Sequence, residues 1–349
     1  MTLLTRPSQS GQDAGLRPVP WHRMAWVTWR QHRLALAGVA ALFGVAALYL
    51  LIAGLRMHHA YAAVAACRPA GSGGCKQLAG EFLNNYAPGA GPALGLLQVI
   101  PALIGAFVAA PVLARELETG TFRYAWTQGF GRSRWSVAKL TPLAIAVTVA
   151  AGAFSVLVSW FVQPLWAAGD DNGPLYPTIF DLRGVAFAAW TLAAFAIGAL
   201  AGALIRRVIP AMFATFVAYA GLSFVTGAFL REHYEAPLIS TIPNFNKHAW
   251  VISQLWNRGG RPVSLSAMNQ TFRPVDIRAV TLGDWQPGPS TPVSVNPVRY
   301  LVQHGYSLAT TYQPNSRFWP FQWIEGGWLL ALALLLFAAT VWLVRRRAT

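Results

Sequence analysis

Charge is what this sequence has least of. Only 11% of its 349 residues are Asp, Glu, Lys or Arg, against roughly 25% in an ordinary soluble domain, so a conventional solvated surface is excluded over most of the chain. Cysteine is nearly missing as well: Cys67 and Cys75 are the whole complement, too few for a zinc site without His at ligand spacing. Catalytic signatures are lacking. There is no G-x-x-x-x-G-K-[ST] phosphate loop, no H-E-x-x-H and no G-x-S-x-G, and no cofactor or metal site is expected on the chain itself. The single S-x-x-K, Ser136 to Lys139, lies at the foot of an apolar run, where a Lys serves orientation. Ionisable residues are essentially missing from the apolar runs, apart from Glu325 where the last one begins, which speaks against an ion-coupled carrier.

What the chain has in their place is hydrocarbon. Hydrophobic residues make up 55% of it and gather into runs long enough to cross a core about 30 Å thick. The first, residues 34 to 55, carries no charge; at about 22 residues, with no A-x-A site close behind it, it reads as a span and not as a cleaved signal. A second span is expected at about 94 to 113, kinked by Pro101 and Pro111. The third covers about 140 to 163, with Pro142 in its first turn, and the fourth about 185 to 205. After a break at Arg206, Arg207 and Pro210 come the fifth, about 208 to 230, and the sixth, about 324 to 344.

Basic residues set the orientation. Arg23, Arg30, Arg33, Arg115, Arg123, Arg132, Arg134, Lys139, Arg206, Arg207 and Arg345 to Arg347 all fall on one side of a six-span chain, whereas Asp170, Asp171 and Asp181 face a lone Arg183 on the other. Lys and Arg in short loops stay cytoplasmic, so both termini are expected there, in a plasma-membrane protein. The formal charge of +15 is scattered over the ends of apolar runs and forms no patch, which excludes nucleic acid as a partner.

The expected fold class is an all-α integral membrane protein: six transmembrane helices, an N-terminal interfacial helix, and an extracytoplasmic domain between helices five and six. Residues 1 to 20, rich in Pro, Gly, Ser and Gln, read as a disordered cytoplasmic tail. Residues 21 to 230 hold the interfacial helix and spans one to five, 231 to 323 the outer domain, and 324 to 349 the sixth span with its basic tail. WHRMAWVTWRQHR, 21 to 33, separates Trp21, Met24, Ala25 and Trp29 from His22, Arg23, Arg30 and Arg33 on a helical wheel, as an interfacial helix does; a basic tail with aromatic-belt tryptophans is the plainer alternative. Cys67 and Cys75 flank a Gly-rich spacer in the first outer loop, and an oxidising compartment favours a structural disulfide between them. In the outer domain, VRYLVQHGYSLATTYQPNSRFWPFQW alternates aromatic and polar residues, which fits short strands or a surface helix. That domain is either a lid or a substrate-receiving surface.

One charged island remains, ARELETGTFRYAWTQGFGRSRWSVAK at 114 to 139. Glu116 and Glu118 are expected near a helix start, where its positive dipole end favours them. Arg132, Arg134 and Lys139 are expected to face anionic lipid, while Phe122, Tyr124 and Trp126 offer aromatic anchors for a partner pocket. An ordinary positive-inside loop with interfacial aromatics is the competing reading. RELETGT at 115 to 121 followed by RSRWSVAK at 132 to 139 resembles the coupling loop of the ABC-2 type of ABC transporter permease. Gly129 stands where many members have Pro, and the outer domain is larger than in the simplest ones.

The resemblance implies that Arg115, Glu116, Glu118, Gly120, Thr121, Phe122, Arg134 and Lys139 couple the chain to a separate cytoplasmic ABC ATPase, which uses the ATP. It implies a second permease copy or paralogue as a further partner, and export as the activity. A membrane-anchored extracytoplasmic binding or sensor protein, acting through 231 to 323, is the alternative.

Overall fold

The computed structural model describes residues 21–69, 71–120, 132–170, 172–241, 249–263, 302 and 305–347. Among these, six helices are long and apolar enough to cross a membrane. The first, α1 (Trp21–Ala66), is a single helix of 46 residues. At 1.5 Å per residue it is about 69 Å long, about twice what a hydrocarbon core of about 30 Å requires. The expected separate interfacial helix at 21 to 33 is thus the first three turns of α1, with no break before the apolar run. Trp26, Trp29 and Arg30 are exposed there, the guanidinium of Arg30 lying 5.5 Å from the Trp26 ring centre.

A tight turn links α1 to α2 (Gly73–Leu97). Ser72 caps the new helix, its hydroxyl accepting from the Cys75 N–H at 3.3 Å. Cys67 and Cys75 are disulfide-bonded across that turn, their Cα atoms 5.7 Å apart. From α2 the chain continues through α3 (Ile100–Ile104), a π-turn (Gly105–Ala109) and α4 (Ala110–Thr119) as one broken rod. Both breaks have a proline behind them: Pro101 stands just after the loosened turn at Gln98, and Pro111 just after the π-turn. A proline supplies no N–H to the preceding turn, and a widened turn absorbs the missing bond.

The third span, α5, runs Arg132–Ala168, followed by a short α6 (Pro177–Phe180), the fourth span α7 (Gly184–Ile205) and the fifth, α8 (Val208–Val225). A second π-turn (Thr226–Leu230) and a single 3-10 turn (Arg231–His233) extend α8, and the sixth span is α9 (Phe318–Arg347). Six crossings bring Trp21 and Arg347 to one end of the bundle, the basic end. The opposite end carries the chain between α8 and α9. The helical expectation holds for the spans, but the chain is not all-α: at this end, where short strands are one of the two expectations, β1 (Leu238–Ser240), β2 (Trp250–Arg258), β3 (Arg261–Val263) and β4 (Tyr306–Gln313) form an antiparallel sheet ordered β1-β4-β2-β3. The alternation in YSLATTYQ is a strand pattern, with Tyr306, Leu308 and Thr310 buried on one face. Gln313, at the end of β4, donates to the carbonyls of Glu232 and Glu235 at 3.2 and 2.8 Å, fastening the sheet to the turn after α8. The tail at 1 to 20, and residues 242–248, 264–301 and 303–304 of the expected outer domain, lie outside the described residues.

The centre of the bundle is α7. Its residues Phe187, Trp190, Ala194, Phe195 and Ala199 are buried, while α1, α8 and α9 keep apolar faces open, among them Leu48, Phe213 and Leu335, as lipid requires. Lipid tails are as apolar as leucine, so spans associate through close packing and not through the hydrophobic effect. The closest packing lies between α7 and the π-turn and α4. A Cβ at Gly198 would fall 2.2 Å from the Gly105 carbonyl oxygen, one at Gly202 2.4 Å from that of Ala110, and one at Gly105 2.5 Å from that of Ala194. The obstacles are backbone, which cannot swing aside. Gly198→Val is expected to lower stability by about 1–3 kcal/mol through overpacking. Gly221→Ala, inside α8 where a Cβ meets nothing within 4 Å, should not destabilise it and by helix propensity should stabilise it by up to about 1 kcal/mol; thermal unfolding of both variants in detergent checks the pair.

Candidate functional site: the end of α4 and its two anchors

At the basic end α4 stops at Gly120, whose φ of 71° lies in the left-handed region. Glycine occupies that conformation without strain; nothing lies within 4 Å of a Cβ built there, so the demand is conformational only. In the last turn Arg115 and Glu118 are exposed and Glu116 is half-buried, and the Thr119 hydroxyl donates to the Arg115 carbonyl at 2.9 Å.

The two acids reach different helices. Glu116 forms an ion pair with Lys139, buried on the second turn of α5, whose ammonium also lies 4.7 Å from the Trp135 ring centre. His32 of α1 is close enough to feel the Lys139 charge. Glu118 accepts a hydrogen bond from the Val208 N–H at 3.1 Å. Val208 is the first residue of α8, so this carboxylate sits on one of the unpaired N–H groups that begin that helix and at the positive end of its dipole. The chain reaches Val208 through a sharp reversal at Arg206, which has a φ of 58°. The end of α4 is thereby fixed to span three by one acid and to span five by the other.

This arrangement corrects two expectations. Glu116 and Glu118 do not lie at a helix start: they occupy the C-terminal turn of α4, where the dipole opposes them, and Lys139 and the start of α8 supply the compensation. Lys139 does not face lipid, being 6% exposed and paired. Arg134 lies half-buried on the first turn of α5. Thr121, Phe122, Tyr124, Trp126 and Gly129 lie outside the described residues.

A second group of charges, which sequence reasoning did not assemble, sits at the sheet end. Arg231, in the 3-10 turn after α8, is 1% exposed; Glu325, in the second turn of α9, is fully buried. Arg231 donates through Nε to Glu325 Oε2 at 3.0 Å and through Nη2 to Oε1 at 2.8 Å, a bidentate pair. Glu325 also accepts from Trp190 Nε1 of α7 at 2.8 Å and from the Tyr234 hydroxyl at 3.0 Å. Arg231 Nη2 reaches, in addition, Asp181 Oδ1 on the turn between α6 and α7. Gln322, one turn before Glu325, accepts from the Ala186 N–H at 2.8 Å and donates to the Phe180 carbonyl at 3.1 Å. Fourth, fifth and sixth spans are thus joined at one point. Glu325 was visible in the sequence as a lone charge at the start of a span. Arg231 and Asp181 looked like ordinary flanking charges, because they lie 94 and 144 positions from it.

Among the described residues no group of three or more His, Cys, Asp and Glu side chains is placed to hold a metal ion. At the end of α4 no described residue resembles a nucleophile with its base, and the arrangement can transmit displacement between helices. A family model described as ABC-2 membrane transporter related matches residues 39–231, more than half of the chain. Neither a curated protein nor a solved structure matches it.

Removing one partner of a buried ion pair strands the other. Arg231→Met is therefore expected to destabilise the chain by about 3–5 kcal/mol. Arg231→Met combined with Glu325→Leu should cost less than the two single changes added together, because neither member of the fully buried pair is left without the other; Asp181, more open than Glu325, loses its one contact to Arg231 in both Arg231→Met and the double variant. Unfolding of the two single variants and the double variant in the same detergent measures that coupling.

Proposed function

Because the chain belongs to the ABC-2 membrane transporter related family, a multi-pass ABC permease component of membrane transport, we propose that it is the membrane-spanning subunit of an ATP-driven exporter. A separate cytoplasmic ATPase energises it by docking on the segment 114 to 139. In this reading the basic end is cytoplasmic and both termini lie there, because Arg115, Arg134, Lys139, Arg206, Arg207, Arg345 and Arg346 gather at that end and basic residues are retained on the cytoplasmic side.

The observation that carries the proposal is the double anchoring of α4. Force delivered to a loop moves a bundle only if the loop's root is fixed to the helices that must shift. Glu116 ties that root to span three and Glu118 ties it to span five, while the backbone contact at Gly198 and Gly202 ties the body of α4 to span four. A push on the loop thus reaches three spans through short, polar or sterically tight contacts. The exposed apolar faces of α1 and α8 leave room for a second permease copy beside the lipid. The sheet, fastened at the opposite end by Gln313, takes the place of a lid. The alternative, an extracytoplasmic binding or sensor protein, draws no support from a family match that ends at residue 231.

The ATPase subunit's stimulation by the permease tests the proposal. Glu116→Gln removes the charge that holds Lys139 without changing side-chain size. It is expected to reduce permease-dependent ATPase stimulation by at least about fivefold, the lower end of typical coupling energies, with membrane insertion intact. Stimulation equal to that of the unaltered chain would overturn the assignment.

A further inference from the structure

The charges at the sheet end do not balance. One guanidinium, Arg231, faces two carboxylates, Glu325 and Asp181, and it is itself shielded from water. The two acids are served unequally. Glu325 receives Nε and Nη2 of Arg231 together with the Trp190 indole and the Tyr234 hydroxyl, four donors that suit an ionised carboxylate. Asp181 shares only the Nη2 of Arg231, already engaged by Glu325. Asp181 Oδ1 and Glu325 Oε1 converge on the same Nη2 atom of Arg231, which sets the two carboxylates side by side. Two ionised carboxylates in such contact repel, whereas one proton between them turns the contact into an O–H donated to a carboxylate.

We propose that this group is a proton-binding site, in which Asp181 takes up one proton from the solution on the sheet side and donates it in a hydrogen bond to Glu325. With the proton bound, the group sums to zero charge and holds the turn before span four to the ends of spans five and six. Without it, the group carries one net negative charge in a poorly solvated place, and the tie through Asp181 loosens. The site is a latch at the far end from the ATPase segment, read by the pH of the solution there. Calling that solution extracytoplasmic rests on the orientation proposed above.

Access and surroundings fit this role. The side chain of Asp181 keeps 21% of its surface open, which gives the proton a route, while Glu325 keeps none. The titratable and charged groups around it are Arg231 after α8, Glu325 on α9, Tyr219 on α8, Tyr234 beyond the 3-10 turn, and Arg183 on its own turn. Arg183 is turned to other partners: it donates to the Ser159 hydroxyl at 3.1 Å and lies 4.3 Å from the Trp166 ring centre and 4.9 Å from that of Phe318. Burial lowers it to about 10, so it remains a cation at neutral pH. Burial pushes the Asp181 carboxyl up, Arg231 pulls it down and Glu325 pushes it up again, leaving it at about 7 against an ordinary 3.8.

The sign follows from linkage. Between pH 3.8 and about 7 the folded chain holds a proton that the unfolded chain has lost, so this group's contribution to stability falls as pH rises through that window and is flat above it.

Infrared difference spectroscopy of the full chain in lipid nanodiscs, titrated over roughly pH 5 to 9, reads the proton directly. A protonated-carboxyl C=O band should be present at the acid end, disappear around neutral pH, and shift when the aspartates carry a heavy-isotope carboxyl label. Asp181→Asn, whose amide can donate to Glu325 as the protonated acid does, should abolish the band and remove the loss of thermal stability between acid and neutral pH. A spectrum with no titrating carboxyl band, a band that ignores the aspartate label, or a band that persists in Asp181→Asn would each overturn the proposal. The measurement uses the chain alone, so it stands or fails independently of any ATPase partner.

Discussion

The bundle depends on α7 meeting the second span backbone to backbone. Gly105, Gly198 and Gly202 leave no room for a methyl group between the two helices, and that approach sets where everything else can go. In lipid, helices gain little by hiding apolar surface from one another, so the separation of this pair is decided by how small its facing residues are. With α7 drawn against α4, spans three, five and six pack around it. The π-turn at 105 to 109 belongs to the same constraint. It supplies the carbonyl that Gly198 accommodates, and it relieves the bond that Pro111 cannot make.

The few charges left in the folded chain follow one rule at both ends. At the basic end, Glu116 and Glu118 sit at the unfavourable end of their own helix and find compensation on two others. At the sheet end, Glu325 is surrounded by donors from α7, from Arg231 and from Tyr234. Each of these acids is also a tie between elements distant in sequence: the buried ones must be met by whatever partner the fold brings near, and the exposed Glu118 caps the start of α8. The two groups differ in how well they balance. The pair at the basic end matches one acid to one base; the group at the sheet end holds one acid too many.

Much of the architecture was legible in the sequence. The expected fourth and fifth spans begin and end within a few residues of those observed, because uninterrupted apolar runs leave the chain no other low-energy place. Reading 21 to 33 and 34 to 55 as two elements missed that they are one helix and that it runs on to Ala66, since hydropathy marks where a helix meets lipid and not where its hydrogen bonds end. The strand at 306 to 313 was visible in its alternation, but its partner β2 was not, as pairing is a long-range choice. At the candidate site, Glu116, Glu118, Gly120 and Lys139 were all picked out, and yet the physical role given to the acids was reversed. A helix start does favour acids, but α4 continues the second span to Thr119 and so places these two at a helix end.

Hydrophobic length and the placement of Pro and Gly act locally, and they suffice to put this chain in a bilayer with six apolar helices and to mark which segments stay out of it. What each charge does emerges only from the packing of the helices. Lys139 became an anchor and not an orientation signal, and Arg231, Asp181 and Glu325 became one group and not three flanking residues. The physical reason is range: apolar runs are satisfied by lipid wherever they lie, whereas a charge shielded from water is satisfied only by a specific partner a few ångströms away, and that distance exists only once the helices have packed.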